Sequence, residues 1–515
     1  MGGGESKLTG PDLARGVRAA DVVEGKPLLG HANGEAVLIA RVGDELFAIG
    51  ATCTHYGGPL AEGKIVGSEV RCPWHHACFD LRTGVAKRAP ALNPVPCYEV
   101  DVRDGIARFG AKRERDPLAP VGKTSPTRQP ESVVIVGGGA AGAAATEMLR
   151  RQGYTKQITV IDEEPDSPYD RPNLSKDYLA GNAPEEWIPL RPAGFYEQHG
   201  VNVVRARATR IDAANKKVEC EGAPPTSYGA LILATGAEPV RLTMRGGDLP
   251  HVHYLRSLAD SRAIIKQTAT AKRAVVIGAS FIGLETAASL RQRNLEVDVV
   301  APDSLPLERV MGPQLGAYIK SLHEEHGVRF HLQQTAERVE KDHVVLKNGE
   351  KLPADLVVIG VGVRPRTTLA ESAGLAMDRG VSVNEYLETS VPGIFAAGDI
   401  ARWPDPHTGS RIRVEHWVVA ERMGQVAACN VLGFAQKFES APFFWSAHYD
   451  VSINYVGHAE SWDRIDVDGD PAKRDVTVRF VKDDKALAVA TIFRDEESLN
   501  AEVEMESSGV EAGRA

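Results

Sequence analysis

Val133-Val134-Ile135-Val136-Gly137-Gly138-Gly139-Ala140-Ala141-Gly142 decides the fold of the chain's central region. Four apolar residues in a row suit a strand buried on both faces of a parallel sheet. The glycines fit G-x-G-x-x-G, and the run after them predicts a helix through Arg151. Gly137 allows the tight turn, Gly139 lets the backbone approach a pyrophosphate, and Gly142 lets helix pack close to strand. The helix N-terminus then faces the phosphate charge. A second strand, Ile158–Ile161, ends at Asp162, 25 residues after Gly137, where a carboxylate can accept a bond from a ribose hydroxyl. Glu163 and Glu164 compete for that role.

A second turn of this kind, Gly278-Ala279-Ser280-Phe281-Ile282-Gly283-Leu284-Glu285, follows about 140 residues later. Its strand is Ala274–Ile277 and its helix runs through Arg291. Ser280 replaces the middle glycine, a departure that puts a side chain where backbone should meet phosphate, though its hydroxyl could donate a bond. The next strand, Val297–Val300, ends in Ala301 rather than an acid; Asp303 comes two places late. No arginine pair stands there for a 2′-phosphate, which favours NADH over NADPH.

Working outward, 515 residues exceed one hydrophobic core and suggest three or four domains. Residues 8–110 read as short strands and turns. Ala36–Arg41 and Glu45–Ile49 flank one hairpin turn, and Tyr98–Val102 and Ile106–Phe109 flank another. Residues 111–130, charged and Pro-rich, read as a linker with nothing to form a core. The two nucleotide units divide the rest into 131–250 and 379–439 for the first, and 251–378 for the second. Residues 440–508 return to alternating strands, such as Val476–Val481 and Ala486–Phe493. Ser507–Ala515, small and polar, read as a disordered tail. The fold class is multidomain: an all-β N-terminal module, two Rossmann-like α/β units and an α+β C-terminal domain.

The net charge of −9 disfavours a nucleic-acid binder, which needs clustered Lys and Arg. No apolar run approaches the ~18–20 residues of a membrane span. Six scattered cysteines without a C-x-x-C pair exclude a disulfide scaffold and a dithiol centre, and fit a reducing cytoplasm. Gly2 and Ser6 satisfy the loose myristoylation pattern.

The most specific motif is Cys53-Thr54-His55, followed after 16 residues by Cys72-Pro73-Trp74-His75. Two thiolates and two imidazoles, one of each per loop, suit a [2Fe–2S] centre with Cys on one iron and His on the other. Neutral imidazoles raise the potential, to roughly −150 to +300 mV in such centres. A Cys2His2 zinc site is the alternative, but it usually pairs like ligands within each half. His76 and Cys78 fall off the motif's register and read as packing or surface residues.

These residues resemble the Rieske ferredoxin family, with Gly57-Gly58-Pro59-Leu60 and Phe79-Asp80-Leu81 matching its loops. Respiratory members carry an extra Cys in each loop; here Gly58 and Trp74 stand there, which resembles the ferredoxins and implies a lower potential. Tyr169-Asp170-Arg171-Pro172-Asn173-Leu174-Ser175-Lys176 resembles a segment of oxygenase-coupled ferredoxin reductases and apoptosis-inducing-factor proteins. The resemblance implies FAD at the first turn, contacted by Arg171 and Lys176, by Ala234-Thr235-Gly236 and by Asp399. It places Glu285 near nicotinamide and flavin, Gly360-Val361-Gly362 over the nicotinamide, and Trp417 beside the isoalloxazine or in the core. Lys176, Glu285 and Trp417 are the implied catalytic residues.

In total the resemblance covers nearly all of residues 8–505. It implies an oxidoreductase that carries electrons from NAD(P)H through FAD to its own cluster, then to an acceptor such as an oxygenase. It leaves open a redox signalling protein, a self-contained NADH oxidase or quinone reductase, and a homodimer.

Overall fold

The computed structural model describes residues 8–121 and 126–512. The Gly2–Ser6 pattern and part of 111–130 lie outside them. Among the described residues no helix is long and apolar enough to cross a membrane.

The strand Ser132–Val136 sits at the centre of a five-stranded parallel sheet. Its neighbours are Gln157–Asp162 and Ala230–Leu233, and the outer strands are Val201–Arg205 and Ile394–Ala396. The last strand arrives from far downstream, so the chain leaves this unit, builds another and returns. Helix Ala140–Arg151 lies against helix Trp417–Val431. Contact is so close that a Cβ on Gly424 would stand 2.1 Å from the Ala141 carbonyl oxygen. The intervening chain forms a second parallel sheet with Arg273–Ile277 at its centre, flanked by Leu356–Ile359 and Glu296–Ala301. Every residue of Val133–Val136 and of Ala274–Ile277 is buried, which explains runs that never alternate.

In the N-terminal domain, Glu35–Val42 pairs antiparallel with Glu45–Gly50, and Cys97–Arg103 with Ile106–Arg113. Asp104 and Gly105 both have positive φ (52° and 73°), the conformation of a tight hairpin turn matched to strand twist. A smaller four-stranded sheet contains Glu69–Arg71 and Cys78–Asp80, and the loop between them carries Cys72 and His75. The C-terminal domain is a five-stranded antiparallel sheet followed by helix Asp495–Ala512.

Two expectations need correction. Residues 111–113 are strand, with Lys112 bonded to Glu35 at 2.7 Å, and Leu118 is buried. Beyond them the Val121 amide donates to Arg151 O (2.9 Å) and the Arg128 amide to Leu432 O (3.0 Å), so the described part of 111–130 is laid onto the first nucleotide unit. One leucine and a few backbone bonds were enough to anchor it. Residues 507–512 are not irregular, because the last helix continues through them to Ala512; residues 513–515 lie outside the described residues. Ser507 and Ser508 turn their hydroxyls back onto the carbonyls of Val503 and Glu504.

That helix fastens the N-terminal domain to the rest. Glu502, fully buried, meets Arg71 (2.7 Å) and Arg88 (3.6 Å) of the N-terminal domain and Arg422 (2.8 Å) of helix Trp417–Val431. Glu506 meets Arg71 (2.8 Å) and Arg88 (2.7 Å). Arg422 also donates to the carbonyls of His76 and Ala89. Burial alone would raise Glu502, but Arg422, the neighbouring His76 and Arg88 hold it well below the ordinary carboxylate range.

Removing Glu502 leaves buried Arg422 without a counter-charge, and Arg71 and Arg88 with Glu506 alone. Glu502→Ala is expected to cost about 3–5 kcal/mol, because an uncompensated buried charge remains. Denaturant unfolding measures this, and proteolysis between residues 111 and 121 should become faster. Glu502's folded value is depressed, so its contribution is complete above its unfolded value of roughly 4.3 and fades as pH falls through the lower folded value. Docking should therefore survive at pH 5 and fail only in stronger acid.

Candidate functional site

Gly137 (φ 104°) and Gly278 (φ 110°) each end a central strand in a turn that a residue with a side chain rarely adopts. A Cβ on Gly142 would lie 1.9 Å from Gly137 O, so only glycine lets helix and turn close together. Gly283 stands in the same relation to Gly278, at 2.3 Å. The two turns open into one cavity of about 1350 Å³. That exceeds the ~300–1,000 Å³ of a typical small-ligand pocket, as two dinucleotides require.

Gly137, Gly139, Asp162, Arg171, Lys176, Ala234, Thr235, Gly236, Asp399 and Trp417 all line this cavity, and so do Glu285 and Gly362. Gly142, Gly278, Gly283 and Gly360 stand behind the lining, where they shape the turns. A Cβ on Gly139 would meet only Arg171 at 3.8 Å, which leaves room for a ligand against the backbone. Asp162, largely buried, is pushed above the usual carboxylate range by desolvation and by Glu164, with Arg205 at 3.2 Å opposing them. Asp162 lies on the cavity wall beside the Gly138 turn, where its carboxylate oxygens can accept a ribose hydroxyl bond, and the residues present fit FAD.

Arg171 is held by Glu164 (3.1 Å) and rests over the Tyr169 ring (4.9 Å). Lys176 Nζ lies 2.8 Å from Glu285 Oε2, and Ser446 donates to Glu285 Oε1 at 2.6 Å. The Ser280 hydroxyl does not obstruct the second turn. It donates to Gly360 O (2.7 Å) and accepts from the Gly283 amide (3.2 Å), so it caps the helix and ties the two loops together. Two arginines escaped the sequence reading. Arg256 pairs with Asp399 at 2.8 Å, and Arg309, at the cavity edge, pairs with Asp303 at 2.7 Å. Neither belongs to a short motif; only the tertiary fold brings them to the cavity.

Beyond one wall of the cavity sit the four candidate cluster ligands. Each loop is folded on its own backbone: the Cys53 amide donates to Gly58 O (2.8 Å) and the Cys72 amide to Ala77 O (2.8 Å). His55 Nδ1 and His75 Nδ1 face each other at 3.1 Å. The sulfurs form the other pair, and the hydrogen bond from Cys72 is the main influence that lowers Cys53. Burial pushes His55 down to about 3 and His75 well below its ordinary value, so both rings are neutral, the form that binds iron. Among the described residues no three His, Cys, Asp or Glu side chains gather as the ligands of one ion would. Two separate pairs suit two irons, and these residues fit a [2Fe–2S] cluster. His76 and Cys78 are buried in packing, His76 stacked on Phe443 at 4.1 Å. All six cysteines are free.

The residue that joins the two halves is Trp445. Its ring lies 4.2 Å from His75 and 5.9 Å from His55, centroid to centroid, and it also lines the cavity. Tyr56 stacks on His55 at 3.9 Å and donates to Asp170, next to Arg171 in the flavin-side loop. Sequence gave no sign that Trp445 or Tyr56 would sit between the sites, because the contact exists only once the two domains dock.

Residues 131–424 match the pyridine nucleotide-disulphide oxidoreductase model, residues 15–99 the Rieske [2Fe-2S] domain, and residues 443–507 the reductase C-terminal domain. The chain is 33% identical to apoptosis-inducing factor 3 of Mus musculus, over 89% of this chain and 78% of the relative. It is 34% identical to putidaredoxin reductase CamA of Pseudomonas putida, over 71% and 89%. The solved covalent putidaredoxin reductase–putidaredoxin complex superposes with a TM-score of 0.71 at 33% identity, covering 73% of this chain and 93% of that one.

Two substitutions test the site. Asp162→Ala should weaken flavin binding about ten- to a hundredfold, the worth of a charge-assisted hydrogen bond, as measured by flavin retained on dilution. Gly58→Ala would put a Cβ 2.7 Å from Cys72 Sγ, and should lower iron and acid-labile sulfide per chain while leaving flavin content unchanged.

Proposed function

Because the chain belongs to the pyridine nucleotide-disulphide oxidoreductase family and carries a Rieske [2Fe-2S] domain, we propose that it passes electrons from NAD(P)H through FAD to that cluster within the same chain, and on to an acceptor such as an oxygenase component. One observation carries the intramolecular step. Trp445 touches the imidazole His75 on one side and the cavity of both nucleotide turns on the other. When bound, FAD would supply the exchange between paired and single electrons, and a cluster held by Cys53, His55, Cys72 and His75 would take them singly.

The chain's own residues do the rest. The helix N-termini at Gly139 and Ser280 hold phosphate charge, and Asp162 holds a ribose. Lys176 and Glu285 form a buried pair, 15% and 4% exposed, which sets a charged but water-poor patch on the cavity wall. The buried network at Glu502 fixes the distance between cavity and cluster ligands. NADH is the nucleotide in this proposal: no acid ends the strand Glu296–Ala301 to repel a phosphate, yet Asp303 already neutralises Arg309.

Replacing Trp445 by Leu removes the aromatic bridge. In anaerobic mixing with NADH, flavin bleaching should continue while the electron paramagnetic resonance signal of the reduced cluster grows more slowly than in the wild type. Equal cluster rates in the two proteins would remove the proposed route.

A further inference from the structure

NAD(P)H gives up two electrons and one proton as it becomes NAD(P)⁺. The cluster takes only electrons, so one proton per nucleotide has to leave the cavity. The structure holds an unbroken line of hydrogen-bonding groups from the cavity to half-buried Tyr449, beside exposed His326. Glu285 Oε1 accepts from the Ser446 hydroxyl (2.6 Å), Ser446 Oγ meets His448 Nε2 (3.1 Å), and His448 Nδ1 meets His323 Nε2 (3.2 Å). His323 Nδ1 then meets the Tyr449 hydroxyl (3.5 Å). Tyr449 is half-buried, and its ring stacks at 3.6 Å on exposed His326.

Three chain segments meet in this line. Glu285 comes from helix Phe281–Gln292, His323 from helix Glu308–Glu325, and Ser446 and His448 from strand Phe443–His448. Ser446, His448 and His323 are wholly buried, and Glu285 is 4% exposed. Apolar side chains would fill that space without the cost of burying polar groups. Instead, each imidazole has both nitrogens engaged, by the other imidazole and by a hydroxyl. Burial holds His448 down to about 3 and His323 well below its ordinary value, so both are neutral, with one donor and one acceptor nitrogen apiece.

A neutral imidazole of this kind passes a proton by gaining it at one nitrogen and losing it at the other. The line is satisfied in two senses. With Glu285 ionised, Tyr449, His323, His448 and Ser446 each donate toward it. With Glu285 protonated, each donates away from it and Tyr449 donates to solvent. Transfer of one proton from Glu285 to water interconverts the two: Glu285 loses one bond to hydrogen, water gains one, and Ser446, His448, His323 and Tyr449 each break one and form one. On the reading that NAD(P)H reduces the cluster, we propose that Glu285, Ser446, His448, His323 and Tyr449 form the proton exit of the reaction. Lys176, 2.8 Å from Glu285 Oε2, is the group that passes the proton from the cavity to the carboxylate.

The test uses the holoprotein and two readouts. In an anaerobic single turnover with NADH and a pH-indicator dye, His448→Gln should delay proton appearance about a hundredfold, the usual worth of a positioned acid–base group. Tyr449→Phe, at the half-buried outer end, should delay it as well and keeps the test open if the buried substitution disturbs folding. In ¹⁵N-histidine spectra of the protein without NADH, Glu285→Gln should shift the ring nitrogens of both His448 and His323, which an unconnected packing role would not do. Normal cluster reduction with undelayed proton release in both variants, or His323 nitrogens indifferent to Glu285→Gln, overturns the wire alone. A wild-type cluster that NADH never reduces overturns the electron route, and with it this use of the wire.

Discussion

Glu502 is shared by three arginines from two different parts of the chain, and the geometry of the electron path depends on that sharing. Arg71 and Arg88 belong to the cluster domain, and Arg422 belongs to the helix packed on the flavin turn. Each cation is drawn to the same carboxylate, so the domains approach along one line and in one orientation. A buried ionic cluster adds less net stability than its short distances suggest, since desolvation offsets much of the attraction. Its effect here is on position: any other docking would strand charge out of water. The consequence appears on the far side of the interface, where His75 comes to rest on Trp445.

This arrangement changes what the connecting segment has to do. A loose tether would make the cluster a visitor to the flavin site, raising its local concentration. The described part of residues 111–130 is instead bonded to the first nucleotide unit through Val121 and Arg128. The His55 and His75 imidazoles face inward, toward Trp445 and Tyr56. The fused domain thus occupies the reductase as a fixed internal acceptor, and Tyr56 ties it to the loop that carries Arg171.

Much of this was legible in the sequence, for physical reasons that differ by element. Val133–Val136 and Ala274–Ile277 declare buried parallel strands because no polar residue interrupts them. Gly142 and Gly283 are readable because a turn that tight excludes a side chain. Cys53, His55, Cys72 and His75 stand out in the sequence because two thiolates and two imidazoles recur at the spacing a [2Fe–2S] centre needs, and the fold brings the two histidines face to face. Arg256 and Trp445 were not readable, since each acts across a distance in sequence that no local pattern encodes, and Arg309, paired with nearby Asp303, belongs to no nucleotide-binding motif. Ser280 looked like a defect in a phosphate turn and proved to be a cap that bonds Gly360. The docking role of the last helix was not readable, because Glu502 and Glu506 are ordinary acids until three arginines meet them.

The central claim is that the electrons travel within one chain rather than between chains. Rapid freeze-quench electron paramagnetic resonance after anaerobic mixing with NADH, repeated over a wide range of protein concentration, measures this directly. A cluster-reduction rate constant that does not change with concentration is the result expected of a fixed internal path. A rate that rises in proportion to protein concentration would mean that each cluster is reduced by another molecule's flavin, and would contradict it.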